Sequence, residues 1–219
     1  MSHTVFPAIA RGRVHRWGGA TLLVVRCDTL GRRAPWSLPP LFTPAERHVF
    51  RGLPAWRQAE WGVGRLLAKS VVSWATGLPL AEVEILPRAD GSPRVSVPGL
   101  HVSISHTTHH VAAVTAPGAV GVDLCETAAA PAVGRAAAHV LVPEERRLTG
   151  EVPELLTAAW ALKEATVKAD RRGLFGEAPR RVRILALTPP TLSGDRRTLV
   201  RSAGTATLAV VVGGDGRDG

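Results

Sequence analysis

The sequence predicts an α+β fold made of two similar α+β subdomains related by a pseudo-twofold axis, with the active site at their interface. Three observations carry this expectation. The 219-residue chain aligns with itself without a gap when shifted by 99 positions. Thr43–Lys69 then falls on Val142–Lys168, with seven of 27 positions identical: Pro44/Pro143, Glu46/Glu145, Arg47/Arg146, Pro54/Pro153, Ala59/Ala158, Trp61/Trp160 and Lys69/Lys168. The same shift lays Val83, Ile85 and Leu86 on Val182, Ile184 and Leu185, and Leu22–Arg26 over Gly121–Cys125. Coincidence between two helices of similar composition is the competing explanation, but it does not extend to flanking apolar runs of strand type. The halves are expected at residues 1–118 and 119–219.

Local signals fit that plan element by element. Thr43-Pro44-Ala45-Glu46 has the spacing of a capping box with Pro at the first helical position. A second helix is expected from about Pro54 to Thr76, closed by Gly77. Val83–Leu86 reads as a strand and Asp90-Gly91-Ser92-Pro93 as a turn. Leu100, Val102 and Ile104 alternate with His101, Ser103 and Ser105, the pattern of a half-buried strand. Val111–Thr115 is expected to return antiparallel, and Ala119–Leu124 to form a further strand. Pro153 opens a helix running to about Asp170, and Val182–Leu187 and Thr205–Val212 read as the last strands. The tail 213–219 is expected to fray.

Composition narrows the classes of function. Hydrophobic residues make up 45% of the chain, which excludes a disordered polymer. No apolar run is long enough to cross a bilayer, and Arg11, Arg13, His15 and Arg16 interrupt any signal-peptide core, so a cytoplasmic protein is expected. Cys27 and Cys125 are too few for a disulfide framework or a zinc cluster. The net charge is +9, and most basic residues are Arg, which clamps phosphates and carboxylates well. Nucleic acid, an anionic membrane, a phosphorylated small molecule and an acidic protein all satisfy such a surface. The absence of Tyr leaves few stacking platforms for single strands.

Two segments hold the candidate chemistry, Val120-Gly121-Val122-Asp123-Leu124 and Trp160-Ala161-Leu162-Lys163-Glu164-Ala165-Thr166-Val167-Lys168. The first reads as a buried strand ending in a carboxylate, either a turn cap or a metal ligand. In the second, Leu155, Ala159, Leu162 and Thr166 form a core stripe, and Trp160, Glu164 and Lys168 form another. Glu164 and Lys168 suit a weak surface ion pair. They equally suit a site in which Asp123 and Glu164 hold a hard cation and Lys168 holds phosphate oxygens. In the first half Arg65 falls on Glu164, and Arg57, Trp61, Arg65 and Lys69 repeat every four residues. That stripe reads as a solvated basic face or as a phosphate-binding wall joined by Arg47 and Arg51. His106, His109 and His110 lack the partners a zinc site needs.

Ser103-Ile104-Ser105-His106-Thr107, Val120-Gly121-Val122-Asp123 and the Trp160–Lys168 segment resemble the three signature motifs of the 4′-phosphopantetheinyl transferases. Asp90-Gly91-Ser92-Pro93 resembles a fourth, and the likeness runs from about residue 40 to 175, including Gly173-Leu174. The two-half length points to the surfactin-synthetase-activating, monomeric type, in which coenzyme A binds between the halves. The resemblance implies transfer of 4′-phosphopantetheine from coenzyme A, the co-substrate, to a serine of an apo acyl or peptidyl carrier protein, releasing 3′,5′-ADP. It implies that Asp123 and Glu164 ligate Mg²⁺, with Mn²⁺ as substitute, that Glu164 is the general base, and that Lys168 holds the pyrophosphate. It further implies coenzyme A contacts from Ser105, His106, Arg65, Arg47 and Arg51, with Lys163 included as a motif residue. An acidic carrier partner is expected, with no nucleic acid and no membrane.

Two positions depart from the pattern. Cys125 stands where many members carry a third acidic ligand; Glu126, one step later, faces the other way in a regular strand. Ser92 replaces a Lys, and Arg94 is a candidate substitute. A catalytically weak or dead homologue that only binds coenzyme A or a carrier protein is therefore the main alternative. A basic metal-dependent nucleic-acid-binding protein is the second.

Overall fold

A computed structural model describes residues 5–27, 38–172 and 177–213. The chain divides into two compact units, one spanning Arg11–Pro117 and the other Gly118–Gly219 together with the N-terminal segment through Ala10. The N-terminal segment thus departs from the expected boundary. Phe6 is buried in the core of the second unit, and the backbone at Pro7 and Ile9 exchanges hydrogen bonds with Ser202.

The unit Arg11–Pro117 contains β1 (Val14–Trp17), β2 (Ala20–Arg26), α1 (Pro44–Arg51), α2 (Ala55–Thr76), β3 (Ile85–Pro87), β4 (Pro93–Val95), β5 (His101–His106) and β6 (His110–Ala116). Its main sheet is antiparallel in the order β1-β2-β6-β5. The capping box opens α1: Thr43 Oγ1 accepts the Glu46 amide at 3.2 Å, and the Glu46 carboxylate accepts the Thr43 amide at 2.8 Å. Gly77 ends α2 in a left-handed conformation at φ 78°, which a residue with a Cβ rarely adopts. Leu67, Ala68, Val71 and Val72 of α2 pack on Val102, Val111 and Ala113 of the sheet and on Val83, Ile85 and Val95 of the β3–β4 hairpin. The expected alternation along β5 is incomplete, because Ser103 and Ser105 are buried as well as Val102.

The second unit contains β7 (Val120–Glu126), a 3₁₀ turn (Thr127–Ala129), α3 (Ala130–Val140), α4 (Pro143–Thr149), α5 (Pro153–Ala169), α6 (Ala178–Arg181), β8 (Ile184–Leu187), β9 (Pro190–Leu192), β10 (Arg196–Ala203) and β11 (Ala206–Gly213). Its main sheet is antiparallel in the order β10-β11-β7. Both units contain a short helix opened by Pro, a long helix, a small hairpin and two long strands in that order, but the first adds β1 to a four-stranded sheet and the second adds α3 and α6 around a three-stranded one. The sequence reading missed β1, β4, α3, α6, β9 and β10. Gly173-Leu174 and the tail 214–219 lie outside the described residues.

A fully buried ion pair ties the short helix to the long one in each unit. In the first, Lys69 Nζ donates to Glu46 Oε2 at 2.8 Å and to the Val83 carbonyl, while Glu46 Oε1 accepts the Ile85 amide at 2.9 Å. In the second, Lys163 Nζ donates to Glu145 Oε1 at 2.6 Å and to the carbonyls of Val182 (2.6 Å) and Pro179 (2.8 Å). Glu145 also accepts the Ile184 amide at 2.7 Å and the Val142 amide at 2.9 Å. A buried charge persists only when paired and hydrogen-bonded: Lys163 has three acceptors, and Lys69 has two with its ammonium 5.3 Å from the centre of the Phe42 ring.

Candidate active site

Asp123 is the middle residue of β7, not its end, and pairs in register with Ala209. Gly121, Asp123 and Cys125 alternate onto one face of the strand. That face meets α5. A Cβ on Gly121 would overlap the Ala165 carbonyl and stand 2.8 Å from the Ala169 amide nitrogen, so only glycine admits so close a helix. The approach brings the polar stripe of α5 to Asp123. Lys168 Nζ donates to Asp123 Oδ1 at 2.6 Å and to the Val122 carbonyl at 3.3 Å. Asp123 is buried, whereas Lys168 keeps 31% of its side chain exposed.

Glu164 lies one turn before Lys168 on α5 and is half-buried. Burial pushes its carboxyl above the ordinary carboxylate range, the Asp123 charge pushes it further, and Lys168 pulls it back. Two carboxylates and one ammonium thus form a single electrostatic cluster, in which Lys168 pairs with Asp123 rather than with Glu164 as a plain surface ion pair. Leu162, Ala159 and Thr166 are buried, as expected of the core stripe.

Cys125 shares this face. Burial, with the carboxylates of Asp123, Glu126 and Glu164 adding, pushes its thiol up to about 12. It is therefore a neutral thiol at physiological pH in the metal-free protein. Glu126 accepts the Thr205 hydroxyl at 2.7 Å. Among the described residues no group of three or more His, Cys, Asp or Glu side chains is placed to hold a metal. The donor set that fits a cation is Asp123 with Glu164: two hard oxygen ligands suit Mg²⁺, which keeps several waters.

The other expected contacts divide. Lys163 is fully buried and its three N–H donors are all committed to Glu145, Pro179 and Val182, so it has none left for coenzyme A. Arg47 spends its guanidinium on the carbonyls of Leu38, Pro39 and Phe42 and braces the approach to α1. The stripe Arg57, Trp61, Arg65, Lys69 is not a solvated face: Arg57 is exposed, whereas Arg65 and Lys69 are buried. Lys69 serves Glu46, as described. Arg65 lies 5.0 Å from the centre of the Trp61 ring and its Nε has no hydrogen-bond partner. Burial pulls its guanidinium down to about 10, against the raising effect of Glu46. Arg51 is exposed on α1, Ser105 is buried, and His106 Nε2 lies 2.7 Å from Glu60.

Sequence reasoning missed Glu145 as the partner of Lys163 and Gly121 as the point of close packing. Glu46/Glu145 was visible as an identity in the 99-residue shift. The ion pairs, however, use Lys69 and Lys163, which that shift does not superpose.

The family model described as the 4′-phosphopantetheinyl transferase superfamily matches residues 119–206. A holo-[acyl-carrier-protein] synthase of Exiguobacterium sp. is 35% identical over 103 residues, covering 84% of that protein and 42% of this chain. The chain belongs to the 4′-phosphopantetheinyl transferase superfamily. It is an enzyme of that class, and the superfamily match contains Asp123, Cys125, Glu145, Lys163, Glu164 and Lys168. Arg47, Arg51, Arg65, Ser105 and His106 lie before its first residue.

Proposed function

We propose that this phosphopantetheinyl transferase moves 4′-phosphopantetheine from coenzyme A to a serine of an apo acyl or peptidyl carrier protein, with Mg²⁺ as cofactor. The cluster of Asp123, Glu164 and Lys168 on β7 and α5 carries the reading. The two-unit length and the repeated element plan favour the monomeric, surfactin-synthetase-activating type.

The serine oxygen bonds to the β-phosphorus, which carries the pantetheine arm. The bond from that phosphorus to the bridging oxygen breaks, and 3′,5′-ADP leaves with the bridging oxygen. Asp123 and Glu164 are the residues to hold Mg²⁺, which when bound supplies positive charge to the phosphoryl oxygens. Glu164 takes the serine proton, directly or through a water. Lys168 exchanges its Asp123 contact for pyrophosphate oxygens, a role its partial exposure supports. Ser105 and His106 remain candidates for the coenzyme A phosphates, with Arg51 and Arg65. His106→Ala is expected to raise KM for coenzyme A with little change in kcat.

The deciding experiment incubates the protein with coenzyme A, Mg²⁺ and several apo carriers and weighs the carriers by mass spectrometry. Glu164→Gln and Asp123→Ala should each lower the transfer rate at least ~100-fold while circular dichroism stays native. Transfer near the wild-type rate in both variants rejects the assignment of these carboxylates.

A further inference from the structure

Lys163 stands beside the carboxylate at the centre of the proposed chemistry, yet it is buried and its donors go to Glu145, Pro179 and Val182. We infer that Lys163, through its buried pair with Glu145, is a positioning residue that fixes where α5 presents Glu164. The inference rests on the reading of Glu164 given above and adds the element that aims it.

The geometry of α5 carries the argument. A helix packed on a sheet can still roll about its own axis or slide along it. Either motion moves a side chain at its edge by an ångström or more, and reacting groups tolerate little such displacement. Two anchors at different azimuths stop both motions. One is the contact of the Ala165 and Ala169 backbone with Gly121. The other is Lys163, whose ammonium is fixed by Glu145 of α4, by the Pro179 carbonyl of α6 and by the Val182 carbonyl leading into β8. Positions 163 and 165 are about 200° apart around the helix, so the anchors act from nearly opposite sides with Glu164 between them.

Glu145 is itself immobilised, because its carboxylate also receives the amides of Ile184 and Val142. Neither of these bonds involves α5, so the Glu145 carboxylate is held by groups other than Lys163 as well. The corresponding pair in the other unit, Lys69 with Glu46, has the same chemistry but is followed on α2 by Ser70 rather than by a catalytic carboxylate. It therefore serves as an internal control.

The test compares Lys163→Met with Lys69→Met in the full chain, at a temperature where both keep native circular dichroism. Lys163→Met is expected to lower kcat and to weaken direct Mn²⁺ binding, read by water-proton relaxation, by ~10-fold or more. KM for coenzyme A should stay within about twofold, since Lys163 meets no ligand. Lys69→Met is expected to lower Tm comparably yet leave Mn²⁺ affinity within about twofold. If Lys163→Met does not fold, Glu145→Gln carries the same test; it keeps an acceptor but removes the charge, and a several-fold loss of Mn²⁺ affinity is expected. Amide hydrogen exchange along 162–168 gives a third readout, expected to accelerate in the Lys163 or Glu145 variant and not in Lys69→Met. Should wild-type protein transfer nothing or bind no Mn²⁺, the functional reading fails, and hydrogen exchange alone decides the positioning role. A folded Lys163 variant with Mn²⁺ affinity and exchange like wild type overturns the inference, as does an equal effect from Lys69→Met.

Discussion

Glu164 occupies a position where a carboxylate is poorly accommodated: desolvated first, then facing the Asp123 charge, with only Lys168 in opposition. Its folded pKa is above its unfolded one, so the native state binds its proton more tightly. That contribution favours folding below the ordinary carboxylate pKa and is lost as pH rises through the raised value. Glu164→Gln should therefore melt higher than wild type near neutral pH in metal-free protein, and the difference should vanish in acid; calorimetry across pH measures it. An equal or lower Tm at pH 7 argues that the carboxylate is well compensated. The same shift makes Mg²⁺ compete with a proton, so metal affinity should fall as pH drops through the Glu164 titration, and calorimetric binding curves at several pH values check this. The three lysines show how sharply residue type is used here. The chain has only Lys69, Lys163 and Lys168, and each is paired with a carboxylate, while Arg covers the surface. The closed three-acceptor socket around Lys163 fits a point-like ammonium better than a planar guanidinium.

Between β7 and α5 the decisive element is a missing side chain. Gly121→Ala places a methyl inside the Ala165 carbonyl, and relief requires moving the helix that carries Glu164 and Lys168. The expected cost is at least ~3 kcal/mol, the upper range of overpacking, seen as a lower urea midpoint, with residual activity falling more than the folded fraction. A midpoint within experimental error of wild type contradicts the packing described. This contact also marks how far the sequence was legible. The capping box at Thr43, the Gly77 terminus, the Asp90 turn and the α5 core stripe depend on neighbours in the chain, and all were readable. Asp123 and Glu164 were singled out by motif, and the fold brings both into one electrostatic cluster with Lys168. What stayed hidden depends on packing between distant segments. Arg65 and Lys69 look like a basic face because α2 has the right period, but α1 and the β3 segment close over them. Lys163 looks like a ligand because it sits in a motif, and only the fold of α4 against β8 reveals its partner. The strand β10 went unseen because its core positions are separated by Arg196, Arg197, Thr198 and Arg201, which read as loop.

For the whole molecule, the formal charge of +9 is the property most open to direct measurement. A uniformly basic surface offers no selectivity by itself, and no helix among the described residues is long and apolar enough to cross a membrane. If the partner is an acidic carrier protein, long-range attraction raises the encounter rate and is screened within about 8 Å at physiological ionic strength. If the chemical step proceeds at Asp123 and Glu164 as proposed, it is less open to that screening, because Asp123 is buried and Glu164 half-buried. Raising NaCl from 20 mM to 500 mM at constant Mg²⁺ should therefore lower kcat/KM for the apo carrier by ~10-fold, with kcat at saturating carrier changing far less. Stopped-flow or discontinuous mass-spectrometric assays at several salt concentrations separate the two parameters. A salt-independent kcat/KM means that the positive surface does not steer the carrier. A parallel fall in kcat places the salt effect on the proposed site itself, where chloride competes with phosphate oxygens for Lys168 and screening weakens Mg²⁺ binding.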